Sequence, residues 1–242
     1  MSSNAFDAGH IEGAVLWNIY TDLKDGDYQP VDKAVIERLL SVSGIAADST
    51  VVFYGYGPAF GFWLMKLYGH RDVRILDASR DAWLAERRPW TTDQAKPKVT
   101  TYRLPAADER LRATQPDIEQ ELGNRGTSLL DVRSEAEFRG ERFWPSGGME
   151  EGGRAGHVPG ATHLFVGEVH DESGAFLAPD QLARIYQPVD VAAADGIITY
   201  CTVGGRASTT WFVLTYLLGH DRVRVYDGSW AQWGRRADTP VE

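Results

Sequence analysis

The chain has 242 residues, 43% hydrophobic and 24% charged, which suits a folded globular protein of two small domains and excludes a disordered or fibrous one. Its 34 acidic against 25 basic side chains leave a net charge of −9, the wrong sign for a nucleic-acid-binding face, and no apolar run approaches the roughly 18 residues of a membrane helix. One cysteine, Cys201, allows neither an internal disulfide nor a thiolate-cluster zinc site.

In chain order, Met1 to Asp7 carries neither a basic nor an apolar leader, so a cytoplasmic location is expected. Gly9-His10-Ile11-Glu12-Gly13-Ala14 follows and returns, 147 positions later, as Gly156-His157-Val158-Pro159-Gly160-Ala161. Val51-Val52-Phe53-Tyr54-Gly55 returns after 146 positions as Ile197-Ile198-Thr199-Tyr200-Cys201. Gly69-His70-Arg71-Asp72-Val73-Arg74-Ile75-Leu76-Asp77-Ala78-Ser79 returns after 150 as Gly219-His220-Asp221-Arg222-Val223-Arg224-Val225-Tyr226-Asp227-Gly228-Ser229, with Trp83 and Trp233 in register. Three blocks in one order at nearly one offset define two copies of a single fold. Only Met1 to Ala8 precede the first block, without an apolar run. Either the first copy lacks its opening strand, leaving a gap or exposed surface in its sheet, or its start lies upstream. From Pro89 to about Ala113 prolines and polar residues replace apolar periodicity, so the chain divides into domains at 1–100 and 113–242.

In the second copy, Ser128 to Val132 reads as a short apolar strand. Asp131 and Arg133 close it, more as a structural pair supporting a neighbouring loop than as cleft residues. Arg139, Arg142 and Arg154 surround Gly147, Gly148, Gly152 and Gly153, which suits a solvated loop or a flap. The Gly-His pairs at His10, His70, His157 and His220 occur in both copies, which points to turns rather than catalysis. His157, His163 and His170 lack the helical spacing of a metal pair, so no metal site is expected. Pro179 to Tyr186 reads as a helix, and Gly196 to Tyr200 as a strand rich in β-branched residues. Ala207 to Leu218 is apolar on nearly every side, a buried helix stopped by Gly219. Arg222 to Tyr226 is a third strand. Alternating strands and helices predict an α/β fold with mostly parallel sheets flanked by helices. Trp230 belongs to the core by default, with a pocket wall as the alternative.

Cys201 follows the second of these strands, and Thr202, Val203, Gly204, Gly205 and Arg206 lead into the helix. A strand, tight loop and helix place the cysteine at the carboxyl edge of the sheet, where α/β proteins bind ligands. The glycines allow the loop N–H groups to turn inward, and the helix N-terminus adds partial positive charge. Both favour an anion at the loop centre, so the thiol is expected to ionise readily and act as a nucleophile, with Arg206 adding a cation. In the first copy Gly55 stands in place of Cys201, before Tyr56-Gly57-Pro58-Ala59. The span from there to the next Gly-His pair is four residues shorter, and that copy is expected to be scaffold or one wall of the cleft.

These residues resemble the rhodanese family, specifically its two-domain thiosulfate and 3-mercaptopyruvate sulfurtransferases. The carriers are the Gly156 to Ala161 block, Leu130-Asp131-Val132-Arg133, Cys201 with its loop, and Tyr226-Asp227-Gly228-Ser229-Trp230; the likeness covers nearly the whole chain. It implies two tandem rhodanese-like domains, the first inactive and the second catalytic. Cys201 would take sulfane sulfur from a small anionic donor, thiosulfate or 3-mercaptopyruvate, and pass it from a persulfide to cyanide or a thiol, with no metal or organic cofactor. Loop residues 202–206 would hold the donor, and Asp131, Arg133 and Trp230 would support the loop. The family's loops often continue from the cysteine with Arg-Lys-Gly-Val-Thr or Gly-Ser-Gly-Val-Thr; here the cation stands at the loop's end, and Glu137 stands where some members carry a substrate-binding arginine. Two rival readings are a cysteine phosphatase or arsenate reductase and a low-turnover binding or regulatory module. Phosphatase loops of the form Cys-x5-Arg are one residue longer than this one, and the smaller ring suits a single sulfur better than a phosphate.

Overall fold

The computed structural model describes residues 3–124, 126–189 and 194–242. Its first half runs through α1 (Ser3–Asp7), α2 (Lys33–Val42), β1 (Val51–Phe53), α3 (Pro58–Leu67), β2 (Val73–Ile75) and α4 (Arg80–Ala85). Its second half runs through β3 (Arg112–Ala113), α5 (Gln115–Glu121), β4 (Thr127–Asp131), α6 (Glu135–Phe138), β5 (Thr162–His163) and α7 (Pro179–Tyr186). It continues with β6 (Gly196–Tyr200), α8 (Gly205–Phe212), β7 (Val223–Tyr226) and α9 (Ser229–Trp233). β1 and β2 form a two-stranded parallel sheet. The second sheet has the order β3-β7-β6-β4-β5, and all its pairs are parallel. Parallel strands covered on both faces need no polar alternation, which is why β6 is buried from Ile197 to Tyr200 without a break.

The repeated sequence blocks make repeated contacts. His10 stacks on Phe6 with ring centroids 3.8 Å apart, and its Nδ1 lies 2.9 Å from the Phe6 carbonyl; His157 stacks on Phe138 at 3.7 Å and lies 3.0 Å from that carbonyl. The Ile11 and Val158 amides each donate to a tyrosine hydroxyl, Tyr54 and Tyr200, at 3.1 Å. His10 exchanges backbone hydrogen bonds with Thr91, as His157 does with Glu242. The Trp83 and Trp233 indoles donate to the carbonyls of Pro89 and Pro240. Between the matched Phe and Gly-His landmarks the second half carries an additional loop, residues 139–155, which has no counterpart between Phe6 and Gly9.

One sequence expectation is adjusted. The buried helix begins two residues early, at Gly205. Its continuation over Val213–Leu217 is a π-helical turn that leaves Tyr216 47% exposed. The connector is extended, and part of it packs on the first half: Tyr102 and Leu104 are buried, the Tyr102 hydroxyl lies 2.5 Å from His70 Nδ1, and Thr100 donates to the Ile45 carbonyl at 2.5 Å. In the first half, Ser3–Asp7 form α1 ahead of Gly9, and Met1 and Ser2 lie outside the described residues. The flank of β1 is open, with Val52 52% exposed and a cavity of about 150 Å³ lined in part by Val51, Val52 and Phe53. The halves meet where α3 packs on α8, Phe62 against Trp211 and Phe212, within one continuous apolar core. Among the described residues no helix is long and apolar enough to cross a membrane.

Candidate active site

β6 delivers Cys201 to the carboxyl edge of the larger sheet, and the turn after β7 fixes it there. The Cys201 amide donates to Ser229 Oγ at 3.1 Å, and that hydroxyl donates to the Tyr226 carbonyl at 2.7 Å. The Trp230 and Ala231 amides donate to the carbonyls of Cys201 and Thr202, both at 2.9 Å. Ser229 holds a left-handed φ of 53°, uncommon outside glycine, to make this clamp. The Gly204 amide donates to Cys201 Sγ at 3.1 Å. Gly204 has φ 91°, and a Cβ there would come within 3.1 Å of the Asp227 backbone and 3.2 Å of the Phe60 ring, so the loop closes over the sulfur only with glycine. α8 starts at the next residue, and its first N–H groups have no acceptor within the helix. The inward turn of amides is thus narrower than expected: Gly204 reaches the sulfur, while the Cys201 amide is taken by Ser229.

Arg206 reaches the cleft, but its charge is already matched. Nη1 and Nη2 bind Glu137 Oε2 and Oε1 at 2.8 and 2.7 Å, and Nη2 also donates to Thr202 Oγ1 at 2.6 Å. Thr202 Oγ1 in turn donates to Glu137 Oε1 at 2.7 Å. Glu137 also closes a capping box on Ser134 at the start of α6. Burial alone would raise the Glu137 pKa, yet the Arg206 guanidinium and these hydroxyls hold it down to about 2. Burial likewise opposes the Arg206 charge, and Glu137 more than offsets it.

Cys201 is 1% exposed, yet it lies on the floor of a cleft of about 550 Å³. The cysteine-free half contributes Tyr20, Gly55, Tyr56 and Pro58; the other half adds Trp144, Phe165, His170 and Phe176 beside Thr202, Val203, Gly205 and Arg206. His170 is held below its ordinary pKa by burial. Asp131, Arg133 and Trp230 are placed away from this cleft. The Arg133 and Asp131 side chains are fully buried and paired at 2.6 Å, and the guanidinium also donates to the Gly156 carbonyl and lies 4.5 Å from the Trp230 ring centroid. They and Trp230 sit in the core beneath the loop. Arg154 ties down the C-terminus through the Thr239 and Trp233 carbonyls, and Arg139 forms an exposed pair with Glu135.

Sequence reasoning missed Trp144, Ser229 and Lys24. Lys24, from the first half, is buried; its Nζ donates to the Asp227 carbonyl at 2.8 Å and lies 5.1 Å from the Phe60 ring centroid. It thus braces, from behind, the backbone against which Gly204 packs. Burial pushes its pKa below the ordinary lysine value, with Asp227 opposing. Lys24→Met is expected to cost about 2 kcal/mol, the scale of one buried charged hydrogen bond. That lowers Tm by roughly 4–8 °C; a melt within about 1 °C of wild type would remove Lys24 from this role.

The cysteine stands on a strand-loop-helix at the floor of a cleft between the two halves, and known proteins share this chain's sequence and fold. The family described as "Rhodanese-like domain" matches residues 114–236. A protein of Mycobacterium tuberculosis named "Putative thiosulfate sulfurtransferase SseA" is 42% identical over 245 residues, covering 98% of this chain and 80% of its own length. One of Mycolicibacterium smegmatis, named "Putative thiosulfate sulfurtransferase", is 38% identical over 246 residues, covering 99% and 88%. The chain belongs to the rhodanese family. Among solved structures, the wild-type EanB structure superposes with a TM-score of 0.86 at 23% identity. The anaerobic ergothioneine biosynthesis enzyme of Chlorobium limicola, in complex with trimethyl histidine, superposes with a TM-score of 0.84 at 23% identity. This chain spans 61% of either one's length, and the likeness is one of fold.

Proposed function

We propose that the protein is a sulfurtransferase that carries sulfane sulfur on Cys201. The observation that carries this reading is the position of Cys201 Sγ: at the end of β6, on the floor of the cleft, 3.1 Å from the Gly204 amide and beside the opening turn of α8. The names of the full-length relatives support the same activity. In the first half-reaction the Cys201 thiolate attacks the outer sulfur of thiosulfate, the S–S bond breaks, and sulfite leaves with the electron pair. In the second, cyanide or a thiolate attacks the outer sulfur of the persulfide and returns the pair to Sγ. The Gly204 amide and the α8 N-terminus stabilise the anionic sulfur in both states. Residues 113–242 carry the chemistry in this reading, and residues 1–100 supply scaffold and the Tyr20–Tyr56 wall.

Intact mass spectrometry tests it. Thiosulfate is expected to add one sulfur atom to the protein, and cyanide to remove it with release of thiocyanate. No gain with either thiosulfate or 3-mercaptopyruvate would leave a binding module instead.

A further inference from the structure

The cleft over Cys201 is larger and less polar than thiosulfate and cyanide require. We propose that its sulfur acceptor is a thiol with an aromatic body; this rests on the sulfurtransferase reading above. Size is the first support. At about 30 Å³ per water-sized group, the five heavy atoms of thiosulfate fill roughly a quarter of the 550 Å³. That volume lies in the range of sites for larger organic ligands. Charge is the second. Among the described lining residues Arg206 is the only permanently charged side chain, and Glu137 holds it bidentately, so no free cation selects an anionic body. Exposure is the third. Tyr56, Tyr20 and Phe165 are 71%, 45% and 41% exposed, and all three line this cleft. Large rings left in water around one reactive sulfur mark a surface that gains by being covered. Trp144 is already fixed by the Tyr28 ring at 5.0 Å and the Arg235 guanidinium 5.8 Å away, so the wall needs little ordering on binding.

The step is a displacement. The acceptor thiolate attacks the outer sulfur of the Cys201 persulfide, a new S–S bond forms as the bond to Sγ breaks, and the electron pair returns to Sγ. The acceptor leaves as its persulfide anion, and no oxidant or reductant is consumed.

The test loads the protein with thiosulfate and follows sulfur loss by intact mass with 2-naphthalenethiol or 2-mercaptoethanol. Each rate is divided by that thiol's rate with glutathione persulfide in solution, which removes intrinsic nucleophilicity. The normalised rate for naphthalenethiol is expected to be at least about tenfold higher, the return on burying an aromatic ring. Tyr56→Ala and Phe165→Ala are each expected to reduce that ratio. Equal normalised rates, or a ratio that neither variant moves, would overturn the proposal. A second arm titrates 2-naphthol into the Cys201→Ser protein by calorimetry, free of sulfur chemistry. Saturable binding weakened by Tyr56→Ala supports the aromatic site. If the persulfide forms and cyanide discharges it but naphthol does not bind, the acceptor proposal alone falls. If no persulfide forms, the sulfurtransferase reading and the acceptor role fall together, and naphthol binding decides whether an aromatic-ligand cleft survives.

Discussion

Cys201→Ser is expected to abolish thiocyanate formation from thiosulfate and cyanide, by on the order of 10⁴-fold or more, the scale lost when a covalent nucleophile is removed. The chain has no other cysteine to take over. A serine hydroxyl is far harder to ionise than a thiol, and an alcohol oxygen has no stable counterpart of the persulfide. The fold is expected to survive. Serine keeps an acceptor for the Gly204 amide, the backbone clamp from Ser229, Trp230 and Ala231 does not involve the side chain, and Tm should move by less than about 5 °C. Steady-state thiocyanate release together with a melting curve checks both halves. A folded serine variant that still turns over would remove Cys201 from the centre of the mechanism. A wild-type protein with no turnover at all, and a serine variant with unaltered ligand binding, would favour a binding module.

What sequence reading recovers here is local. β6 is recovered with its boundaries because Ile197, Ile198 and Thr199 are β-branched and no charged residue interrupts them. α7 is recovered because Pro179 opens it and Leu182 and Tyr186 lie four apart on one face, both buried. The repeated blocks stand out in the sequence because they hold residues of the His-Phe stack, the tyrosine hydroxyl bond and the indole bond found in each half. The start of α8 escapes because Gly204 and Gly205 both read as loop, whereas the left-handed turn ends at Gly204 and the helix begins one residue on. The site is less legible. Ser134-Glu135-Ala136-Glu137 has the form of a capping box, but nothing in it reveals that the same carboxylate meets an arginine 69 residues away. Tyr20, Tyr56, Trp144 and Phe165 come from four separate loop segments, and residues that meet only across a cleft leave no periodic trace.

That hidden pair sets the second large effect. Glu137→Gln is expected to destabilise the protein by about 3 kcal/mol, because it leaves the largely buried Arg206 charge without its carboxylate. At 2–4 °C per kcal/mol this lowers Tm by roughly 6–12 °C. The pH dependence gives an independent measure. Glu137 titrates near 2 in the folded protein against an ordinary value of 4.5. As pH falls, the unfolded chain therefore takes up this proton first. Its stabilisation is complete above about pH 4.5 and is lost progressively toward pH 2, and the difference is again worth about 3 kcal/mol. Urea unfolding between pH 6 and pH 2 should show this acid limb in wild type and a flatter one in Glu137→Gln. The same substitution separates two roles for Arg206. If the guanidinium is neutralised by Glu137, as the geometry has it, removing the carboxylate raises the local potential by one charge, and KM for thiosulfate should fall at temperatures where the variant stays folded. If Arg206 already acts as the free anion-binding group of the loop, KM will not improve. A variant with wild-type stability and an unchanged acid limb would show that the Glu137–Arg206 pair does not hold the loop.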